Sequence, residues 1–194
     1  MKSRIMMVVF VLVLGSILTA ALVAVASYTA PIIEQNEAVE TRKSILQALE
    51  IPYDQAAIDE AFSRNVQQKQ ADGTTYYLSR EGDVAFAYAG PGLWGPIEGI
   101  IAIGPDFQTL TGVTIIRQEE TPGLGSRIGE PAYLDQFKAR RFAEGLRLVA
   151  PGRSQADNEI DSITGATLSS NAFVDILNDA LEEKVPVIKQ GELQ

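Results

Sequence analysis

From Ile5 to Ile33 the chain carries no charged side chain. In a helix rising about 1.5 Å per residue, about 20 such residues cross a hydrocarbon core of about 30 Å. Gly15, Ser16, Ala20 and Ala21 place small residues on this helix, and Tyr28 sits where an interfacial aromatic belongs. Ala24-Val25-Ala26 has the look of a signal-peptidase site. The apolar run before it, however, exceeds the roughly 7–15 residues of a secretory h-region, which favours a retained anchor. Lys2 and Arg4 precede the span and Glu34, Glu37 and Glu40 follow it. The positive-inside rule then expects a cytoplasmic N-terminus and an external main domain. The expected organisation is an anchor at 1–33, a connecting helix at 34–52 and an extracytoplasmic domain at 53–194.

Beyond the anchor the periodicity changes several times. Ile45, Leu46 and Leu49 mark one face of a helix over Glu34–Glu50 that Pro52 stops. Thr74–Ser79 and Val84–Tyr88 predict two strands across an Arg80–Asp83 turn. Ile97–Ile103 and Val113–Arg117 predict two more, separated by a Gly104-Pro105-Asp106 turn. A short helix is expected at Ala132–Arg140, followed by an ambiguous segment, Phe142–Ala150, that fits a strand. Leu168, Ala172, Phe173, Ile176, Leu177, Ala180 and Leu181 form a helical stripe, expected to end at Val185-Pro186. The fold class is α+β, an antiparallel sheet packed by helices.

Composition narrows the chemistry. There is no Cys and no His, which removes disulfides, thiolate or imidazole metal sites, a Ser–His–Asp triad and a cysteine nucleophile. No metal site is expected. The formal charge is −9, and without Lys2 and Arg4 the remainder holds 14 basic against 25 acidic residues, a net −11. Nucleic acid is therefore excluded as a partner, since a phosphate backbone demands a basic surface.

The segment Asp161-Ser-Ile-Thr-Gly-Ala-Thr-Leu-Ser-Ser170 places the Thr167 hydroxyl after Gly165-Ala166 and before the amphipathic helix. A helix N-terminus offers unpaired N–H groups and a positive dipole end, so a phosphate there is stabilised without Lys or Arg. The plainer reading of Thr167 is a helix N-cap, and the two are compatible. Two Gly-rich stretches, Gly90–Pro96 with the sole Trp and Glu120-Thr-Pro-Gly-Leu-Gly125, match no nucleotide-binding fingerprint. Such glycines either make tight turns or let backbone approach a flat ligand. Trp94 is either a core anchor or a stacking residue. Asp161 reads as a turn former, and Ser169 and Ser170 read as filling the helix's first turn. Glu119-Glu120 is a poor acid pair, because adjacent extended residues face opposite ways. Arg140-Arg141 reads as a solvated pair.

Asp161-x-x-Thr164-Gly-Ala-Thr167-x-x-Ser170 resembles the signature of proteins that carry flavin mononucleotide (FMN) through a phosphoester to Thr. Glu120–Gly125 and the Gly92-Leu-Trp-Gly-Pro-Ile97 loop resemble that family's two other hallmark segments, in the same order. The family is the FMN-binding domain found in the C subunit of the sodium-translocating NADH:quinone reductase and in the G subunit of the Rnf ferredoxin:NAD oxidoreductase. The resemblance implies covalent FMN on Thr167, with Thr164, Gly165 and Ala166 around the attachment. It further implies that Thr121, Gly123, Leu124, Gly125 and Trp94 lie near the flavin. Asp161, Thr164, Gly165, Ala166, Thr167 and Ser170 would be read by a flavin transferase, which takes FMN from FAD with its own Mg²⁺. Gln118-Glu119 departs from the pattern, since several relatives have a His there.

The resemblance also implies a role: an electron-transfer subunit of an ion-translocating oxidoreductase in the inner membrane, not catalytic alone. Its partners would be the other membrane and redox subunits, the flavin transferase and membrane lipid. A membrane-anchored binding module without cofactor is the alternative. An independent NADH-dependent flavin reductase lacks a dinucleotide fingerprint.

Overall fold

A polar stretch that sequence periodicity passed over builds the first strand of the sheet. In the computed structural model, which describes residues 2–192, β1 (Val66–Ala71) pairs with β2 (Thr74–Ser79) across Asp72-Gly73. Both turn residues have positive φ, 43° and 80°, the backbone a two-residue hairpin needs. Strand β1, with its Gln-Gln-Lys-Gln run, is an edge strand, where polar side chains discourage further pairing. The ends of the expected ranges, position 1 and positions 193–194, lie outside the described residues.

The chain divides into two compact units, through Val39 and from Glu40 onward. The described residues of the first unit all belong to helix α1 (Lys2–Ala48). Among the described residues it is the one helix long and apolar enough to cross a membrane. Its Ser16 and Thr29 hydroxyls donate to the Leu12 and Val25 carbonyls at 2.8 and 3.0 Å, satisfying polar groups inside an apolar stretch.

In the second unit β1, β2, β3 (Val84–Pro91), β4 (Pro96–Ile103) and β5 (Leu110–Arg117) form an antiparallel meander in chain order. Residues 44–49 and α2 (Ile58–Asn65) cover one face, where Ile45, Ala48 and Leu49 pack on Ala85, Ile100 and Ala102. Helix α4 (Thr167–Glu192) covers the other, where Phe173, Leu177 and Leu181 pack with Tyr88, Ile97, Ile101 and Phe137. Strand β4 is buried on both faces, which explains the unbroken apolar run that marks it. At Gly99, beside a bulge, an added Cβ would lie 1.9 Å from the Thr114 carbonyl oxygen, and the Tyr88 hydroxyl donates to that oxygen at 3.0 Å.

Several expectations are corrected. The last helix does not end at Val185-Pro186 but runs on to Glu192 with Pro186 inside it. Proline removes one N–H, but Val185 and Ile188 are buried on either side, and that packing offsets the lost bond. The helix expected at Ala132–Arg140 is one turn, α3 (Pro131–Leu134), followed by a 3₁₀ turn to Phe137. It stops because Ala139 N and Arg140 C=O are bonded to the Leu110 backbone at the start of β5. Within the ambiguous 142–150 segment, β6 (Arg147–Val149) pairs in parallel with β7 (Glu159–Asp161). Helix α2 was not expected, although Ile58, Ala61 and Phe62 at i, i+3 and i+4 mark one face of it.

Helix α4 starts near the β3–β4 hairpin, where Ile176 abuts Gly90, and ends over β1 and β2. There Glu192 accepts hydrogen bonds from Tyr76 Oη at 2.5 Å and Lys69 Nζ at 2.9 Å. The Tyr76 bond, helped by Lys69 and opposed by burial, holds the Glu192 carboxyl below the ordinary value of 4.5. A carboxyl depressed on folding adds stability above its unfolded pKa and loses it as pH falls through the folded one. Glu192→Gln should therefore lower the melting temperature at neutral pH, and the gap to the parent should close below about pH 4.5. Thermal melts followed by circular dichroism across pH 3–7 test this; a gap independent of pH contradicts it.

Candidate functional site

The end of the sheet that carries the β3–β4 hairpin also receives the chain leaving β5, because Glu98 pairs with Arg117. The hairpin closes tightly, Gly92 N donating to the Gly95 carbonyl at 2.8 Å. Past β5, Gln118 Oε1 accepts from Glu120 N at 2.7 Å and turns the Glu120 side chain inward. Glu119 points out and pairs with Arg117 at 2.7 Å. The two carboxylates therefore face apart, as expected for neighbours in extended backbone.

Glu120 is 4 % exposed. Its Oε1 accepts from Leu93 N at 2.7 Å and Trp94 N at 3.2 Å, and its Oε2 accepts from Ser169 Oγ at 2.6 Å. One carboxylate thus joins the 92–97 loop, the 120–125 loop and the first turn of α4. Two glycines make room for it. A Cβ at Gly92 would lie 2.6 Å from Oε1, and one at Gly125 would lie 2.7 Å from Oε2 and 2.5 Å from Ser169 Oγ. The 120–125 loop closes on the Thr121 carbonyl, which accepts from Leu124 N and Ser126 N, with Gly123 at φ 74°.

The segment before α4 is a turn closed by Ala166 N donating to the Ile163 carbonyl at 2.9 Å, with Gly165 at φ 83°. Ser170 N then donates to the Ala166 carbonyl, so Ala166 holds the cap position and Thr167 is the first helical residue. The expectation of Thr167 as N-cap is corrected on this point. Ser170 Oγ locks the turn, donating to the Ala166 carbonyl and accepting from Ile163 N. Successive helical residues are about 100° apart, so with Ser169 and Ser170 facing in, Thr167 and Leu168 face out. Among the described residues nothing is hydrogen-bonded to the exposed Thr167 hydroxyl.

Asp161 serves the fold locally. Its carboxylate accepts from Arg153 N, Ser154 N and Ser154 Oγ at 2.8–3.1 Å. Burial alone would raise its pKa, but those donors hold it below the ordinary aspartate value.

The predicted site residues thus fall into two groups. Thr121, Gly123, Leu124, Trp94, Thr164, Gly165 and Thr167 are exposed around one end of the domain. Gly125, Ala166 and Ser170 are buried beneath them. Trp94, 72 % exposed, is no core anchor, because the hairpin's backbone is bonded to Glu120 and its side chain is left outside. Leu168, assigned by periodicity to the buried stripe, is 68 % exposed. Among the described residues outside α1 the exposed large apolar side chains are Leu93, Trp94, Ile116, Leu124 and Leu168, and four of these five belong to the segments Glu120 joins. Sequence reasoning missed Glu120 and Ser169 as joints and Leu93 and Leu168 as surface; the Gly spacing around Glu120 was the available signal. Among the described residues no group of three or more acidic side chains is placed to hold a metal ion. An exposed hydroxyl at a helix N-terminus beside an open apolar surface fits a phosphorylated, flat aromatic cofactor.

The FMN-binding domain family matches residues 92–182, from the hairpin loop to the middle of α4. The match covers a little under half of the chain. The C subunit of the Na⁺-translocating NADH-quinone reductase of Neisseria meningitidis is 34 % identical over 94 residues, covering 46 % of this chain and 36 % of its own. The G subunit of the ion-translocating oxidoreductase complex of Methanosarcina acetivorans is 35 % identical over 91 residues, covering 47 % and 45 %. The chain thus spans less than half the length of these two relatives. The solved structure of the Na⁺-translocating NADH-quinone reductase C subunit from Parabacteroides distasonis superposes with a TM-score of 0.69 at 23 % identity, covering 77 % of this chain and 92 % of that one. The Shewanella oneidensis NqrC structure gives 0.65 at 18 % identity, covering 72 % and 89 %. These two likenesses establish the fold: a sheet with helices on both faces.

The close approach at Gly125 in this domain yields a prediction. Gly125→Ala should destabilise the domain by about 1–3 kcal/mol, because the added methyl must displace the Glu120–Ser169 contact. Gly129→Ala, with open space around its Cβ, should change stability little. Urea unfolding of the two variants checks the contrast; equal stabilities refute it.

Proposed function

We propose that Thr167 carries FMN through a phosphoester and that the chain is a membrane-anchored electron-transfer subunit of an ion-translocating oxidoreductase of the NADH:quinone reductase or Rnf kind. The observation that carries this reading is the free Thr167 hydroxyl at the start of α4, at the end of the domain where Glu120 joins the segments that expose Leu93, Trp94, Leu124 and Leu168. The names of the relatives and the family match support the same reading.

In this proposal each group has a defined task. Thr167 Oγ1 takes the flavin phosphate from FAD, giving up its proton as AMP leaves, with a transferase supplying Mg²⁺. The unpaired N–H groups of the first turn of α4 face the resulting phosphodiester, where the helix dipole favours its charge. Thr164 and Gly165, at the exposed tip of the preceding turn, leave the hydroxyl accessible. Leu124, whose Cδ2 lies 3.8 Å from a Cβ built on Gly165, and Trp94 offer apolar contact to the ring. Bound FMN supplies one- and two-electron transfer. A covalent link keeps the cofactor on a domain held outside the cytoplasm, and the open surface leaves the ring within reach of neighbouring redox subunits.

Protein co-expressed with a flavin transferase should give an in-gel flavin band after denaturation, and intact mass should show one flavin nucleotide on the Thr167 peptide. Thr167→Ala should abolish both. Fluorescence that survives in Thr167→Ala overturns the attachment. The proposed orientation has its own test, made simple by the absence of Cys. In intact cells a membrane-impermeant maleimide should label Gln67→Cys and spare Lys2→Cys. The reverse pattern would place the flavin domain in the cytoplasm.

A further inference from the structure

We propose that Glu120 is the positioning residue of the flavin site, a buried joint that holds the ring-contacting side chains in register with the point of attachment. The inference rests on the reading that FMN sits on Thr167. Leu93 and Trp94 come from a hairpin loop, Leu124 from the loop after β5, and Thr167 and Leu168 from α4. Trp94 lies 26 residues before Glu120 and Ser169 lies 49 residues after it, and the Glu120 carboxylate is bonded to both of these other segments. Its backbone belongs to the second segment, its Oε1 takes the N–H groups of the first, and its Oε2 takes the Ser169 hydroxyl of the third. Ser169 lies two residues after Thr167, so holding its side chain inward fixes the rotation of the helix end and with it the outward direction of Thr167. Gly92 and Gly125, at the closest approach, permit no side chain that would push the carboxylate out of this position.

The role differs from that of a flavin ligand, because Glu120 is buried and its hydrogen bonds are all made within the protein. It also differs from a general contribution to the core. Its removal should free the two loops from the helix end while the sheet and α4 stay packed on Phe173, Phe137 and Tyr88. The chain has a single Trp, Trp94, whose backbone N–H makes one of the bonds in question, so selectively excited tryptophan fluorescence reports this loop alone.

The test uses the full chain in detergent, with and without flavin loaded by the transferase. Anisotropy of Trp94 is read in the unloaded form and anisotropy of the covalent flavin in the loaded form. In the parent both should be high. In Glu120→Ala both should lose most of their anisotropy while far-ultraviolet circular dichroism and the mass of the Thr167 peptide are unchanged. Glu120→Gln should restore both. Its Oε1 can accept from Leu93 N and Trp94 N, and its amide can donate to Ser169 Oγ, whose own proton rotates away. Glu120→Asp, one methylene shorter, should not.

Parent-like anisotropy in Glu120→Ala, or Glu120→Gln as mobile as Glu120→Ala, overturns the proposal. If Glu120→Ala fails to fold, Ser169→Ala decides, since it releases only the helix arm. Flavin anisotropy should then fall with Trp94 unchanged, and an unchanged flavin overturns the proposal. Should the parent accept no flavin, the attachment reading fails by itself, and the Trp94 arm alone decides whether the joint exists.

Discussion

A carboxylate removed from water must find donors, and Glu120 finds three within 3.2 Å on two other parts of the chain. Leaving such a group unpaired in a buried position costs about 1–3 kcal/mol or more, so the surroundings are built to meet it. That requirement shapes the end of the domain in three ways. Two backbone N–H groups of the β3–β4 turn point inward, a serine occupies the inner side of the first turn of α4, and glycines stand where the approach is closest. The same constraint explains an exposed apolar surface. When the turn's backbone is directed at Glu120, the side chains of Leu93 and Trp94 have only solvent to face.

An apolar surface of this kind is unusual on a domain otherwise strongly acidic and well packed. Single exposed apolar residues need no explanation, but four drawn from three distant segments to one place do. Helix geometry adds the chemistry. With turns of about 100° per residue, the segment Thr167-Leu168-Ser169-Ser170 divides into an outward hydroxyl and leucine and two inward hydroxyls. Ser170 ties the preceding turn to the helix, Ser169 ties the helix to Glu120, and the hydroxyl of Thr167 is left over. One short sequence thus holds both the fastening of this end of the domain and an exposed hydroxyl.

Much of this was legible in the chain. The apolar span, strand β2 to the residue, the cores of β3 to β5 and the amphipathic face of α4 follow from simple periodicity, because each element buries one face or both. What periodicity missed has physical causes. Strand β1 is a polar edge, and its best signal was the Asp72-Gly73 turn rather than its side chains. Strands β6 and β7 are three residues each, too short for any period. Pro186 read as a stop because propensity was weighed without the burial of Val185 and Ile188, which carries the helix through. At the site, Gly92 and Gly125 read as room for a ligand or as plain turns, whereas they make room for a carboxylate. That distinction depends on which side chain the fold brings opposite them, and spacing alone does not contain it.

The division of the signature into exposed and buried members also bears on how such a site is read by another protein. In the folded chain Asp161 is saturated by Arg153 and Ser154, and Ala166 and Ser170 lie beneath the surface. A protein acting on the folded domain therefore meets Thr164, Gly165, Thr167 and Leu168, together with Leu124 and Trp94 from elsewhere in the chain. The buried members act through what they hold in place: Asp161 shapes the loop ahead of β7, and Ser170 sets the turn that lifts Gly165 clear. A motif that looks linear is then a surface assembled by three hydrogen-bonded joints, at Asp161, Ser170 and Glu120. The Asp161 carboxylate reaches only the nearby Arg153 and Ser154, whereas Glu120 joins the helix end that bears Thr167 to the loops that bear Leu93, Trp94 and Leu124.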